Sequence, residues 1–131
     1  MVNLKFRRVW TTIGYLLVGL VVVLSLTPSA PPPLEFPWED KFKHMLAYGV
    51  LMLWFAQLHP RSRYGFLAAG FMLLGIFLEL VQAQTGYRSG DIADAMANGL
   101  GTLLSWALAV KGVNNLFHQF ENRWWPGDRQ G

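Results

Sequence analysis

Four apolar runs, at residues 9–27, 42–58, 64–83 and 92–110, alternate with short polar or proline-containing stretches. Each run is 17 to 20 residues long. At 1.5 Å per residue a helix of that length extends about 26 to 30 Å, the thickness of a bilayer's hydrocarbon core. The pattern predicts an all-α integral membrane bundle of four transmembrane helices. The breaks agree with it. Pro28 and Pro31-Pro32-Pro33 cannot continue a helix and favour a stiff extended spacer, and Pro60 stops the second run. Trp38 is placed to anchor at an interface. Past the fourth run, Val113, Leu116, Phe117, Phe120 and Trp124 recur at helical spacing, which predicts an amphipathic helix lying along the membrane surface. Residues 1–112 therefore read as the transmembrane domain and 113–131 as a tail.

Charge sets the orientation. Lys5, Arg7, Arg8, Arg61, Arg63, Lys111, Arg123 and Arg129 are eight of the eleven basic residues, and alternation of four spans puts them all on one side. By the positive-inside bias that side is the cytoplasm, so both termini are expected there, in a multi-pass protein of the cytoplasmic (inner) membrane. Lys41, Lys43 and Arg88 fall outside, together with Glu35, Glu39, Asp40, Glu79, Asp91 and Asp94. The net charge of +3 is spread along the span ends with no continuous basic patch, so nucleic acid is not an expected partner. The first run follows Lys5, Arg7 and Arg8, as a secretory signal would, but it exceeds the usual 7 to 15 apolar residues. It is expected to be a retained anchor. The absence of cysteine removes disulfides, thiolate nucleophiles and thiolate metal ligands.

The chemistry-bearing residues collect at the outer span ends. With about 100° per residue, Asp40, Lys41, His44 and Tyr48 fall on one side of the second helix. Glu79 and Gln82 close the third run, and Arg88, Asp91, Asp94 and Asn98 open the fourth. Ionisable groups within a span cost a few kcal/mol each even on lenient insertion scales, so they turn inward and pair. The fourth run also carries Ala93, Ala97, Gly101 and Ser105 every four residues, a groove for close helix contact, and Gly65, Gly70 and Gly75 give the third run the same capacity. His59 and His118 read as surface residues.

Asp-Lys-x-x-His followed by Tyr, Glu-x-x-Gln, and Arg-x-x-Asp-x-x-Asp-x-x-x-Asn-x-x-Gly, in that order over about residues 34–110, resemble the VanZ-like family of small membrane proteins. The founding member of that family is associated with low-level resistance to the glycopeptide antibiotic teicoplanin. The resemblance implies work at the cell envelope and a motif set comprising Asp40, Lys41, His44, Tyr48, Glu79, Gln82, Arg88, Asp91, Asp94, Asn98 and Gly101.

The expected function is binding, and chemical modification, of an anionic envelope lipid or peptidoglycan-precursor headgroup from the outer face. His44, Glu79 and Asp94 are the candidate catalytic groups, with His44 as general acid or base. Asp40, Lys41, Tyr48, Gln82, Arg88, Asp91 and Asn98 are the candidate substrate-binding groups. Membrane lipids and a lipid-linked precursor are the expected partners. Neither a cofactor nor a metal is expected, since the usual spacing of two histidines one turn apart is missing. A two-histidine phosphatase is ruled out because only His44 lies outside. Two alternatives stand: a non-enzymatic envelope-binding or structural membrane module, whose polar groups tie helix ends together by pairing, Glu79 with Arg88 or Asp94 with His44, and a channel or proton-coupled carrier, for which no ionisable path crosses the inner halves of the second and third spans.

Overall fold

A computed structural model describes residues 4–27, 39–85 and 92–125. Each apolar run becomes one helix: α1 Arg7–Leu26, α2 Glu39–Ala56, α3 Tyr64–Thr85 and α4 Ile92–Val110. A 3₁₀ turn, Arg61–Arg63, leads into α3, and a short α5, Leu116–Trp124, follows α4. Among the described residues there is no strand. The expected proline spacer with Trp38, and the loop that carries Arg88 and Asp91, lie outside the described residues, as does the side chain of Asp40.

The helices run up and down. At one end the start of α2 meets the start of α4 through His44 and Asn98, and Gln82 near the end of α3 reaches the carbonyl of Ser25 in the last turn of α1. At the other end Trp54 of α2 donates to the Trp10 carbonyl of α1, and Arg7 donates to the Leu58 carbonyl. Among the helix pairs, α2 and α4 are the most extensively packed.

Small residues set that closeness. A Cβ on Gly101 would overlap the Met45 backbone carbonyl, and Ser105 Oγ donates to the Gly49 carbonyl at 2.6 Å. Only glycine lets the two backbones meet in this way. The expected small-residue groove is thus used at Gly101 and Ser105, whereas Ala93 is exposed. Of the α3 glycines, only Gly75 makes a tight approach, against the Asn98 side chain; Gly70 faces open space and Gly65 meets only the far edge of Trp106. α3 therefore approaches α4 at the level of the polar residues.

Tyr48, Leu51, Met52, Phe55, Tyr64 and Phe71 form a buried apolar core, and polar residues are buried beside it while many large apolar ones face out. Glu79, Gln82, Asp94, Asn98, Thr102 and Ser105 are buried, while Leu16, Leu20, Leu46, Phe66, Leu73, Phe77, Leu80, Leu103 and Leu104 are exposed. Among the described residues, two helical segments, Arg7–Leu26 and Arg61–Gln84, are long and apolar enough to cross a membrane. α2 begins with Glu39, Asp40, Lys41 and Lys43, and α4 carries Asp94, Asn98, Thr102 and Ser105 inward. Those side chains lower the mean hydropathy of the two helices that build the interior. α1 fully buries only Gly14, while Trp10, Leu17, Val18 and Val21 pack partly against the core.

α5 carries Leu116, Phe117, Phe120 and Trp124 within about 100° of its circumference. Phe117 turns inward, stacked on Trp10 at 4.2 Å and edge-on to Trp54 at 4.6 Å, while Leu116, Phe120 and Trp124 remain exposed. The reason is Glu121, one turn after Phe117, which is 1% exposed. Its carboxylate accepts from Lys5 N (2.7 Å), Phe6 N (3.0 Å) and Trp10 Nε1 (2.7 Å). α1 has no acidic residue in its first turn and begins with Arg7 and Arg8. α5 supplies the missing anion to its orphan N–H groups and dipole. Burial pushes the Glu121 carboxyl up, but these hydrogen bonds and nearby His118 outweigh it and hold the group below its ordinary range. Gln57 acts similarly at the same end, donating to the Val113 carbonyl and accepting from Leu116 N at 2.7 Å, which fastens α2 to the start of α5.

Candidate functional site

The polar end of the bundle is built by three helices. α2 contributes Lys41, His44 and Tyr48 at spacings of three and four, hence on one face. α4 contributes Asp94 and Asn98, also four apart, and α3 contributes Glu79 near its last turns. The Gly101 contact brings α2 onto α4 so that these faces meet.

Lys41 Nζ lies 2.6 Å from Asp94 Oδ1, and His44 Nε2 lies 3.7 Å from Asp94 Oδ2. His44 Nδ1 lies 3.0 Å from Asn98 Oδ1. An amide oxygen has no hydrogen to give, so Nδ1–H is the donor and Nε2 is turned toward the carboxylates. One ligand atom from each of His44, Glu79 and Asp94 falls within 4.8 Å of the other two. Asp94 is 5% exposed and Glu79 8%, so the carboxylates sit inside the bundle. Lys41 is more open, with a side chain 36% exposed.

The three candidate catalytic residues thus converge, although they stand 35 and 15 positions apart in the chain. The candidate binding residues divide. Lys41 belongs to the cluster. Asn98 orients His44, and its chain carbonyl also accepts from Thr102 Oγ1 at 2.9 Å. Tyr48, 2% exposed, lies one turn below His44 within electrostatic reach of Glu79. Gln82, 1% exposed, donates to the Ser25 carbonyl at 2.6 Å and joins α3 to α1. Arg88 and Asp91 fall outside the described residues, and Asp40 is described only in its backbone.

Beside the cluster, between α3 and α4, lies an open, almost wholly apolar groove of about 500 Å³. Met72, Ile76, Leu80 and Met96 form much of its wall, and Glu79 opens onto it. The motifs did not reveal this hollow, because its lining residues are ordinary members of apolar runs. Gln57 and Glu121 were also missed as anchors. The available signal was their place: a lone amide at the end of an apolar run, and an acid one turn after Phe117 on the apolar side of the tail.

The chain matches no family model, no curated protein and no solved structure.

Proposed function

We propose that this chain is a VanZ-like, four-span protein of the cytoplasmic membrane that binds an anionic envelope-lipid headgroup from the outer leaflet and acts on it. The observation that carries the reading is adjacency: an acid–base cluster, His44 with Asp94 and Glu79, abuts an open apolar groove of about 500 Å³ through Glu79 itself. A lipid has the same two parts, a charged head and a hydrocarbon chain. Lys41 supplies positive charge for a phosphate or carboxylate, and its partial exposure keeps it within reach of an incoming group. His44, held by Asn98, is oriented to take or give a proton at Nε2. The groove wall of Met72, Ile76, Leu80 and Met96 would shelter an acyl or prenyl chain.

The many large apolar side chains left exposed on the long helices, together with ionisable groups turned inward, support four spans, since that outer surface suits a lipid solvent. Orientation is supported by charge. Arg7, Arg8, Arg61, Arg63, Lys111 and Arg123 gather at the end opposite the cluster, whereas Lys41 and Lys43 stand at the cluster's end.

The test uses full-length protein in nanodiscs of anionic or zwitterionic lipid, with lipid retention read by native mass spectrometry and products by chromatography. Anionic lipid should be retained in preference, and Lys41→Gln should weaken it by about 1.5 to 3 kcal/mol, roughly ten- to a hundredfold. Glu79→Gln and His44→Ala should abolish any product. Equal retention of both lipid classes by the wild type, unchanged in all three variants, would reject the headgroup reading.

A second reading has its own observation. The Lys41–Asp94 pair and the His44–Asn98 bond also tie α2 to α4. If the cluster only fastens helices, His44→Ala would lower thermal stability and leave lipid selectivity unchanged.

A further inference from the structure

We propose that His44, Glu79 and Asp94 hold a first-row divalent metal ion, with Zn²⁺ or Mn²⁺ as the fitting class. No pair of these ligands shows metal spacing in the chain, because each comes from a different helix. The tertiary structure brings one atom of each within 4.8 Å of the others. At metal–ligand distances of about 2.0 to 2.2 Å, closing onto a shared ion needs side-chain shifts of roughly 1 Å, within rotamer freedom.

Two further features point to a cation. Asp94, 5% exposed, has a fully buried Oδ1 that receives no hydrogen bond; Lys41 Nζ is 2.6 Å away but off the hydrogen-bonding direction. Lys41 offsets the charge, yet lone pairs remain on a carboxylate almost wholly withdrawn from water. In addition, the His44 Nδ1–H···Asn98 contact is the arrangement that orients a ligating imidazole, fixing the tautomer and presenting Nε2. Lys41 beside Oδ1 would likewise support Asp94 as a ligand through Oδ2, the oxygen that faces His44. One imidazole with two carboxylates suits Zn²⁺ or Mn²⁺ better than Mg²⁺, which prefers oxygen and retained water. Three protein ligands leave coordination positions open, as in catalytic sites. In the headgroup reading, on which the role of the ion rests though its binding does not, those positions would take the anionic oxygens of the lipid, and the bound ion would replace the acid–base role given above to a free Nε2.

The test uses untagged full-length protein in nanodiscs, stripped with chelator and re-equilibrated with Zn²⁺, Mn²⁺ or Mg²⁺. Bound metal is counted by mass spectrometry, and affinity is measured by competition with a chromophoric chelator. One Zn²⁺ or Mn²⁺ per chain is expected. His44→Ala, Glu79→Gln and Asp94→Asn should each weaken binding more than about tenfold, and Asn98→Ala about ten- to a hundredfold. His59→Ala and His118→Ala should leave it unchanged. Because a ligand variant can misfold, Co²⁺ is also loaded into the wild type, whose ligand-field bands should report nitrogen and oxygen ligands. A wild type that retains no stoichiometric ion, or binding that survives in folded His44→Ala, would overturn the proposal. Retained metal without lipid selectivity would sink the headgroup reading alone; lipid selectivity without metal would sink this one alone.

Discussion

Glu121→Ala is the sharpest perturbation of the fold. The substitution removes one acceptor group that serves Lys5 N, Phe6 N and Trp10 Nε1 at 2.7, 3.0 and 2.7 Å. A buried donor left without a partner costs about 1 to 3 kcal/mol, more when its partner was charged. Lys5 and Phe6 are exposed enough for water to replace part of what they lose, whereas the half-buried Trp10 indole is pinned under Phe117 and Phe120. The expected loss is therefore about 2 to 4 kcal/mol, below the sum of three full penalties. Glu121→Gln keeps the shape and one carbonyl-type oxygen but aims an NH₂ at one of the donors, and should cost about 1 to 2 kcal/mol. The assay is thermal unfolding in detergent followed by tryptophan emission, combined with limited proteolysis of the segment after Val110. Both variants should release α5 from the start of α1 and speed cleavage there, the alanine more than the glutamine. A Glu121→Ala protein within about 0.5 kcal/mol of wild type, with α5 still protected, would refute the claim that this carboxylate caps α1.

Acid should act through the same group. The folded Glu121 carboxyl titrates below its ordinary value of 4.5, so its contribution is fully present above that value and is lost as pH falls through the lower folded one. Tail protection should be flat between about pH 6 and 8, decline only below the ordinary carboxyl range, and lose this acid-dependent step in Glu121→Gln. Phe117→Ala removes the ring stacked between Trp10 and Trp54 and should cost about 3 kcal/mol, seen as a fall in Tm with a shift in tryptophan emission. Gly101→Ala puts a methyl on the Met45 carbonyl and should cost more than about 2 kcal/mol, because the obstacle is backbone and cannot rotate away. Gly70→Ala, facing open space, should be neutral or slightly stabilising in the same melt.

Hydropathy and spacing were enough to locate all four long helices, since the apolar run is itself the physical cause of each helix. They also picked out His44, Glu79 and Asp94, because an ionisable group beside an apolar run carries a cost that marks it wherever it falls in the chain. They could not say which of the polar residues meet. That was decided by the crossing of α2 and α4, where a missing side chain at Gly101 lets two backbones approach and brings residues 50 positions apart, His44 and Asp94, within 3.7 Å. The inward turn of Phe117 was likewise invisible to periodicity. Helical spacing places Glu121 on the same side as Phe117, but only the position of α1, which begins with uncapped N–H groups and no acid of its own, makes burying that carboxylate favourable. Patterns within a segment follow from local physics; partners across segments follow from how closely backbones can pack and which orphan groups that packing must satisfy.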